Sequence, residues 1–192
     1  MLTSITPLGE RGRGQRWSVT AGALTVGHLL GGSALGGLMA LVAWGLAAVT
    51  DLTDPAITVM IAAALALAVA GDMAGVRLPG RRQVDERWLN AYRGWVYGLG
   101  FGVQLGLGFV TVVNTLLFLT MLVAASLLGP AAAFAIGVVY GAGRAVMALL
   151  SARVRSVDQL KALHRRLDRV ENRVRFGSAG IVIAAGLAAV AG

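Results

Sequence analysis

Two stretches of this chain hold no charged side chain at all, one from Val19 to Thr50 and one from Gly94 to Gly143. A helix on the surface of a soluble protein needs a polar face, and neither run can supply one. A hydrocarbon layer about 30 Å thick, by contrast, asks for about 20 consecutive apolar residues per helix. The chain therefore reads as an all-α integral membrane protein. Its composition agrees, with 57% hydrophobic and only 14% charged residues among 192, and 27 glycines.

Five apolar segments are expected to be spans: 18–49, 56–74, 94–124, 128–150 and 176–192. The expected fold is a five-span helical bundle forming a single membrane domain over 1–192. It divides into a first hairpin (18–74), a second hairpin (94–150), a cytoplasmic amphipathic helix (151–175) and a last membrane segment (176–192). The breaks between segments are chemically distinct. DLTDP at 51–55 is short, polar and ends in proline, the signature of a tight turn. Arg77 to Arg93 is rich in arginine, Gly129-Pro130 is uncharged, and Ser151 to Arg175 is strongly basic.

Basic residues beside spans set orientation. Arg11, Arg13 and Arg16 precede the first span and place the N-terminus in the cytoplasm. Alternation then puts 77–93 and 151–175 inside and the two uncharged turns outside. Every lysine and arginine except Arg144 falls on the cytoplasmic side of this arrangement. The expected location is a bacterial inner (plasma) membrane, with the C-terminus outside. The first apolar run is too long for a signal-peptide core and has no convincing cleavage site, so it is expected to stay as a span.

The first and third segments are longer than one crossing requires, so they must tilt, project or break. Gly27, Gly31, Gly32 and Gly36 in the first and Gly102 and Gly106 in the third are read as helix-packing positions. Spacings of four, as in Gly32–Gly36 and Gly102–Gly106, let helix backbones approach closely. A shift of 75 positions lays Gly27 on Gly102, Leu30 on Leu105 and Gly31 on Gly106. Two related glycine-rich hairpins are inferred from this faint repeat.

Polar groups within the spans are costly to expose to lipid and should face protein or a wet cavity. His28, Ser33, Gln104, Thr111, Asn114, Tyr140 and Arg144 are the candidates for a substrate path. The competing reading is that the amides and hydroxyls bond helices together. Arg144 can snorkel to the inner interface, or it can face the bundle and accept an anion. Residues 157–174 carry Val157, Leu160, Leu163, Leu167, Val170 and Val174 at helical spacing, with a basic opposite face. Such a helix can lie along an anionic leaflet or pair with another helix. Trp88 and Tyr92 stand where aromatic side chains anchor a helix at the interface.

Several function classes fall away. The net charge of +8 is explained by the flanks of the spans rather than by nucleic acid, and no nucleic-acid partner is expected. With no cysteine, this chain has no thiol redox chemistry, thiolate metal site or disulfide. No metal-ligand spacing and no paired carboxylates stand out, so no catalytic residue, metal or cofactor is assigned and an enzyme is not favoured.

The segments TVGHLLGGSALGGLMALVAWGL (25–46) and YGLGFGVQLGLGFVTVV (97–113) resemble the glycine-rich first helices of the two halves in a membrane superfamily. It comprises the cytochrome-c-biogenesis and disulfide-reductant transporters and the sulfite- or amino-acid-exporter-like proteins. TPLGERGRGQRW (6–17) is similar to small actinobacterial proteins of that kind. Members of the redox branch carry a cysteine in the first helix of each half. None stands here, so their electron relay does not carry over. The resemblance implies a small polytopic carrier.

Three readings follow. The first is a permease or exporter of a small solute, with an anion as the substrate favoured by Arg144. The second is a noncatalytic accessory subunit of a larger membrane complex, and the third a lipid-modifying enzyme. The expected partners are membrane lipids together with further copies of the chain or another membrane protein.

Overall fold

The computed structural model describes residues 5–76, 85, 87–108, 116–166 and 169. Among them the chain is all helical: α1 (Pro7–Gly12), α2 (Trp17–Val49), α3 (Asp54–Met73), α4 (Trp88–Ala91), α5 (Gly94–Leu107), α6 (Leu117–Leu127), α7 (Pro130–Leu149) and a 3-10 turn at Leu150–Arg153. Residues 157–166 are helical as well.

Three of these helices are long and apolar enough to cross a membrane: Trp17–Val49, Asp54–Met73 and Pro130–Arg153, the last including the 3-10 turn. This corrects the five-span expectation. The segment 94–124 is not one span but two short helices, α5 of 14 residues and α6 of 11. At 1.5 Å per residue they reach only about 21 Å and about 17 Å, less than a hydrocarbon layer. The physical cause of the first ending is Gly108, which caps α5 at φ 73. That left-handed backbone costs a residue with a Cβ 1–2 kcal/mol, roughly, and stops a right-handed helix. The fifth expected segment, 176–192, lies outside the described residues.

The first segment does not break. α2 runs 33 residues without interruption, about 50 Å. It carries neither proline nor charge, and Gly27, Gly31, Gly32 and Gly36 sit against other backbones, whereas Gly22, Gly37 and Gly45 meet nothing within 4 Å. After Thr50, whose hydroxyl donates back to Leu46 O at 2.7 Å, the chain turns and restarts as α3 with Pro55 in its first turn. α3 ends where Val76 N donates to Gly71 O and Gly75 N to Asp72 O, both otherwise orphaned carbonyls.

The chain forms two compact units. The first comprises Met1–Leu35, Arg81–Val112 and Gly137–Arg169. Its apolar core is Ile5, Leu24, Leu89, Tyr97 and Phe101, with Trp88 packed against it. The Trp88 ring stacks on Phe101 at 5.9 Å, so this tryptophan belongs to the packing as well as to the helix entrance. α1 is tied to the 3-10 turn region by Leu8 N donating to Val154 O and by Ser151 Oγ donating to Ile5 O at 3.0 Å.

The second unit comprises Gly36–Gly80, Val113–Ile136 and Val170–Gly192. Its core is built of small residues, Ala43, Ala125 and Ala133, beside Met39, Ala40 and Ile136. Here α3 and α6 pack antiparallel: Thr120 Oγ1 donates to Ala64 O at 3.2 Å, and Leu116 N to Asp72 Oδ1 at 2.8 Å. Large apolar side chains point outward in both units, among them Trp44, Leu67 and Val139, each about 70% exposed. A helix whose outer face is this apolar suits lipid rather than water. The protein has the character of a membrane protein.

Candidate functional site

His28 sits where three helix backbones converge in the first unit. A Cβ at Gly102 would lie 2.8 Å from Gly27 Cα and 2.9 Å from His28 N. One at Gly31 would lie 2.9 Å from Gly106 Cα, and one at Gly32 2.7 Å from Gly141 Cα. Cβ atoms on Gly106 and Gly141 would both run into His28 O. α5 and α7 therefore touch the α2 backbone on either side of residue 28. The register that matches Gly27 to Gly102 and Gly31 to Gly106 in sequence is also the register in which those backbones meet.

Such closeness leaves the His28 side chain 1% exposed. Its Nδ1 lies 2.7 Å from Leu24 O. A carbonyl can only accept, so Nδ1 carries the proton, and in the neutral ring Nε2 is left as an acceptor. On α7, Tyr140 precedes Arg144 by one helical turn, and Gly141 between them meets the His28 carbonyl. Three of the residues singled out from the sequence thus share one neighbourhood. Arg144 and Tyr140 are half-buried. Among the described residues the salt bridges are Arg13–Glu10 and Arg87–Asp85, and Arg144 takes part in neither.

The remaining candidates fall elsewhere. Gln104 is half-buried on α5, two positions from both Gly102 and Gly106. Two helical steps rotate a side chain by roughly 200°, so Gln104 faces away from the side that meets α2. Ser33 is half-buried on α2, next to Gly32, with no hydrogen bond to His28 or Arg144. Thr111 and Asn114 lie outside the described residues.

The sequence reading missed the most thoroughly paired charge among the described residues. Glu10 is 0% exposed at the end of the first unit where α1, α2 and α5 come together. Its Oε2 accepts from Thr20 Oγ1 at 2.7 Å and from Tyr97 OH at 2.5 Å, while Oε1 accepts from Arg13 Nη2. Three donors on one carboxylate offset its removal from water. Burial opposes the charge on Arg13, but its contacts with Glu10 and Tyr97 outweigh burial and raise its pKa above the ordinary arginine value. Gln15 completes the knot, its Oε1 accepting from Gly94 N at 3.0 Å.

The local sequence explains how Glu10 gets there. Thr6 caps α1, its side chain accepting from Gly9 N, and Pro7 occupies the first turn. Gly14, at φ 67, lets Gln15 N turn back to Glu10 O at 2.8 Å. The Thr-Pro start with an acid in its first turn was the available signal for a helix. Nothing local announced that the acid would be buried.

In the second unit Asp72 was passed over as a residue at the end of a span. It works as a cap, accepting from the free Leu116 N beside the start of α6. Among the described residues no group of three histidines or carboxylates could hold a metal ion. No protein-family model, curated protein or solved structure matches the chain.

Proposed function

We propose that the protein carries a small anionic solute across the membrane, with Arg144 as the residue that attracts it. The observation behind this reading is a half-buried guanidinium within an apolar span and without a carboxylate partner among the described residues. A charge so placed is expensive unless an anion or water meets it. Tyr140, one helical turn before Arg144 on α7, adds a hydroxyl suited to hold an oxyanion by a hydrogen bond. The resemblance to exporter-like carriers belongs to the same proposal, as do a bacterial inner membrane and a cytoplasmic N-terminus.

The test is flux. Protein in sealed liposomes should accelerate uptake of a panel of small anions (sulfite, acetate, an amino-acid anion) over protein-free vesicles, with cations unaffected. Arg144→Gln should lower anion uptake at least tenfold, roughly the effect of removing one charge-assisted contact, and Arg144→Lys should retain part of it. Equal uptake by the parent and Arg144→Gln would remove the guanidinium from the path.

A second reading, an accessory subunit that holds a membrane complex together, is favoured by the backbone contacts at Gly27, Gly31, Gly32, Gly102 and Gly106. Residues committed to bringing helices together need no solute. It predicts a partner protein that co-purifies in fixed ratio under mild detergent.

A further inference from the structure

A second place in the first unit gathers positive charge without satisfying it. Pro7, Arg11, Gly14, Gln15, Trp17, Ala152 and Arg155 line an open cleft of about 530 Å³, within the size range of small-ligand sites. Two guanidiniums line it and no carboxylate does. Both arginines are exposed, and neither side chain has an ion pair among the described residues. Of the carboxylates close in sequence, Glu10 accepts from Arg13, Thr20 and Tyr97, and exposed Asp158, three residues after Arg155, makes no ion pair with it. Trp17 also lines the cleft, and its indole N–H is buried without an acceptor among the described residues.

The position of the cleft decides what kind of anion suits it. Trp17 is the first residue of the span Trp17–Val49, and Ala152 lies in the last turn of the span Pro130–Arg153. Both walls therefore stand where apolar helix gives way to polar chain, the level at which lipid headgroups lie and at which tryptophan is favoured. Leu8 N bonded to Val154 O keeps α1 and the end of the second wall together, so the cleft is held from both sides. Arginine forks match phosphate oxygens, and a polybasic surface at this level attracts anionic lipid.

We propose that this cleft binds the phosphate headgroup of an anionic membrane lipid, with Arg11 and Arg155 on the phosphate and Trp17 beside the glycerol. The site is separate from Arg144 and does not depend on the transport reading.

Native mass spectrometry of the full chain released from nanodiscs tests it. The chain should retain phosphatidylglycerol in preference to phosphatidylcholine. Arg11→Gln with Arg155→Gln should weaken that retention roughly tenfold, the order expected for two interfacial charges. Arg165→Gln with Arg166→Gln removes the same charge from exposed residues outside the cleft and should weaken retention less than the cleft pair does. Arg11→Lys with Arg155→Lys should restore most of the binding, which separates loss of charge from loss of fold. Equal loss in the two glutamine pairs, or equal retention of both lipids, would overturn the site. Displacement of the lipid by soluble glycerol phosphate would overturn its assignment to a lipid.

Discussion

Tyr97 and Glu10, separated by 87 positions, share a hydrogen bond of 2.5 Å from the phenol to the carboxylate, and both side chains are fully buried. The bond ties the first turn of α5 to a six-residue helix that has almost no stability alone. Removing the carboxylate leaves Arg13 with its principal counter-charge gone and two hydroxyls without their acceptor. Glu10→Ala should destabilise the protein by about 3–5 kcal/mol, the range for breaking a buried ion pair from one side. Tyr97→Phe, which removes one donor of three, should cost about 1–2 kcal/mol. Unfolding in mild detergent followed by circular dichroism measures both, and equal costs would contradict the three-donor arrangement.

The glycines of α2 divide into crowded and open positions. A Cβ at Gly27 would lie 2.8 Å from Gly102 Cα, whereas one at Gly37 would meet nothing within 4 Å. Gly27→Ala and Gly102→Ala should each cost about 1–3 kcal/mol, because backbone cannot retreat as a side chain can. Gly37→Ala should stay within about 1 kcal/mol of the parent, on the stable side, since alanine is the better helix former. Thermal unfolding of the three variants in one detergent distinguishes packing from propensity.

Asp72 should matter to the start of α6 more than to α3, on which it lies. Its Oδ1 takes the Leu116 amide, one of the donors a helix start leaves without an internal partner. Asp72→Ala should cost about 1 kcal/mol, as lost caps do, and should speed hydrogen exchange at the first amides of α6. Asp72→Asn keeps an acceptor oxygen and should lose less. Exchange unchanged at 116–120 in Asp72→Ala would show that the cap is idle.

Topology can be read directly because the chain has no cysteine of its own. α1 and the stretch after α7 are joined through Leu8 N to Val154 O and Ser151 Oγ to Ile5 O. Arg16→Cys and Asp158→Cys, both at exposed positions, should therefore react with an impermeant maleimide from the same side of sealed vesicles. Labelling from opposite sides would refute the joined ends.

What could be read from the residues alone was what neighbours in sequence decide. Uncharged runs must leave water: the first is the long apolar helix α2, and the second holds α5, α6 and most of α7. Thr53-Asp54-Pro55 and Gly129-Pro130 stop one helix and start the next because proline lacks an amide hydrogen and glycine lacks a Cβ. The excess length of 94–124 allowed for a break, but its position was not legible, since the apolar sum reads as one span and only the backbone at Gly108 shows where α5 ends. Nor did composition reveal that Glu10 is buried, that Asp72 caps a distant helix, or that Gln104 turns away from His28. Each of those depends on a partner or a helix face supplied by chain tens of residues away, and burial of a charge becomes affordable only once that partner is in place. Hydrophobicity accumulates along the sequence, whereas hydrogen-bond satisfaction is settled only when distant segments meet.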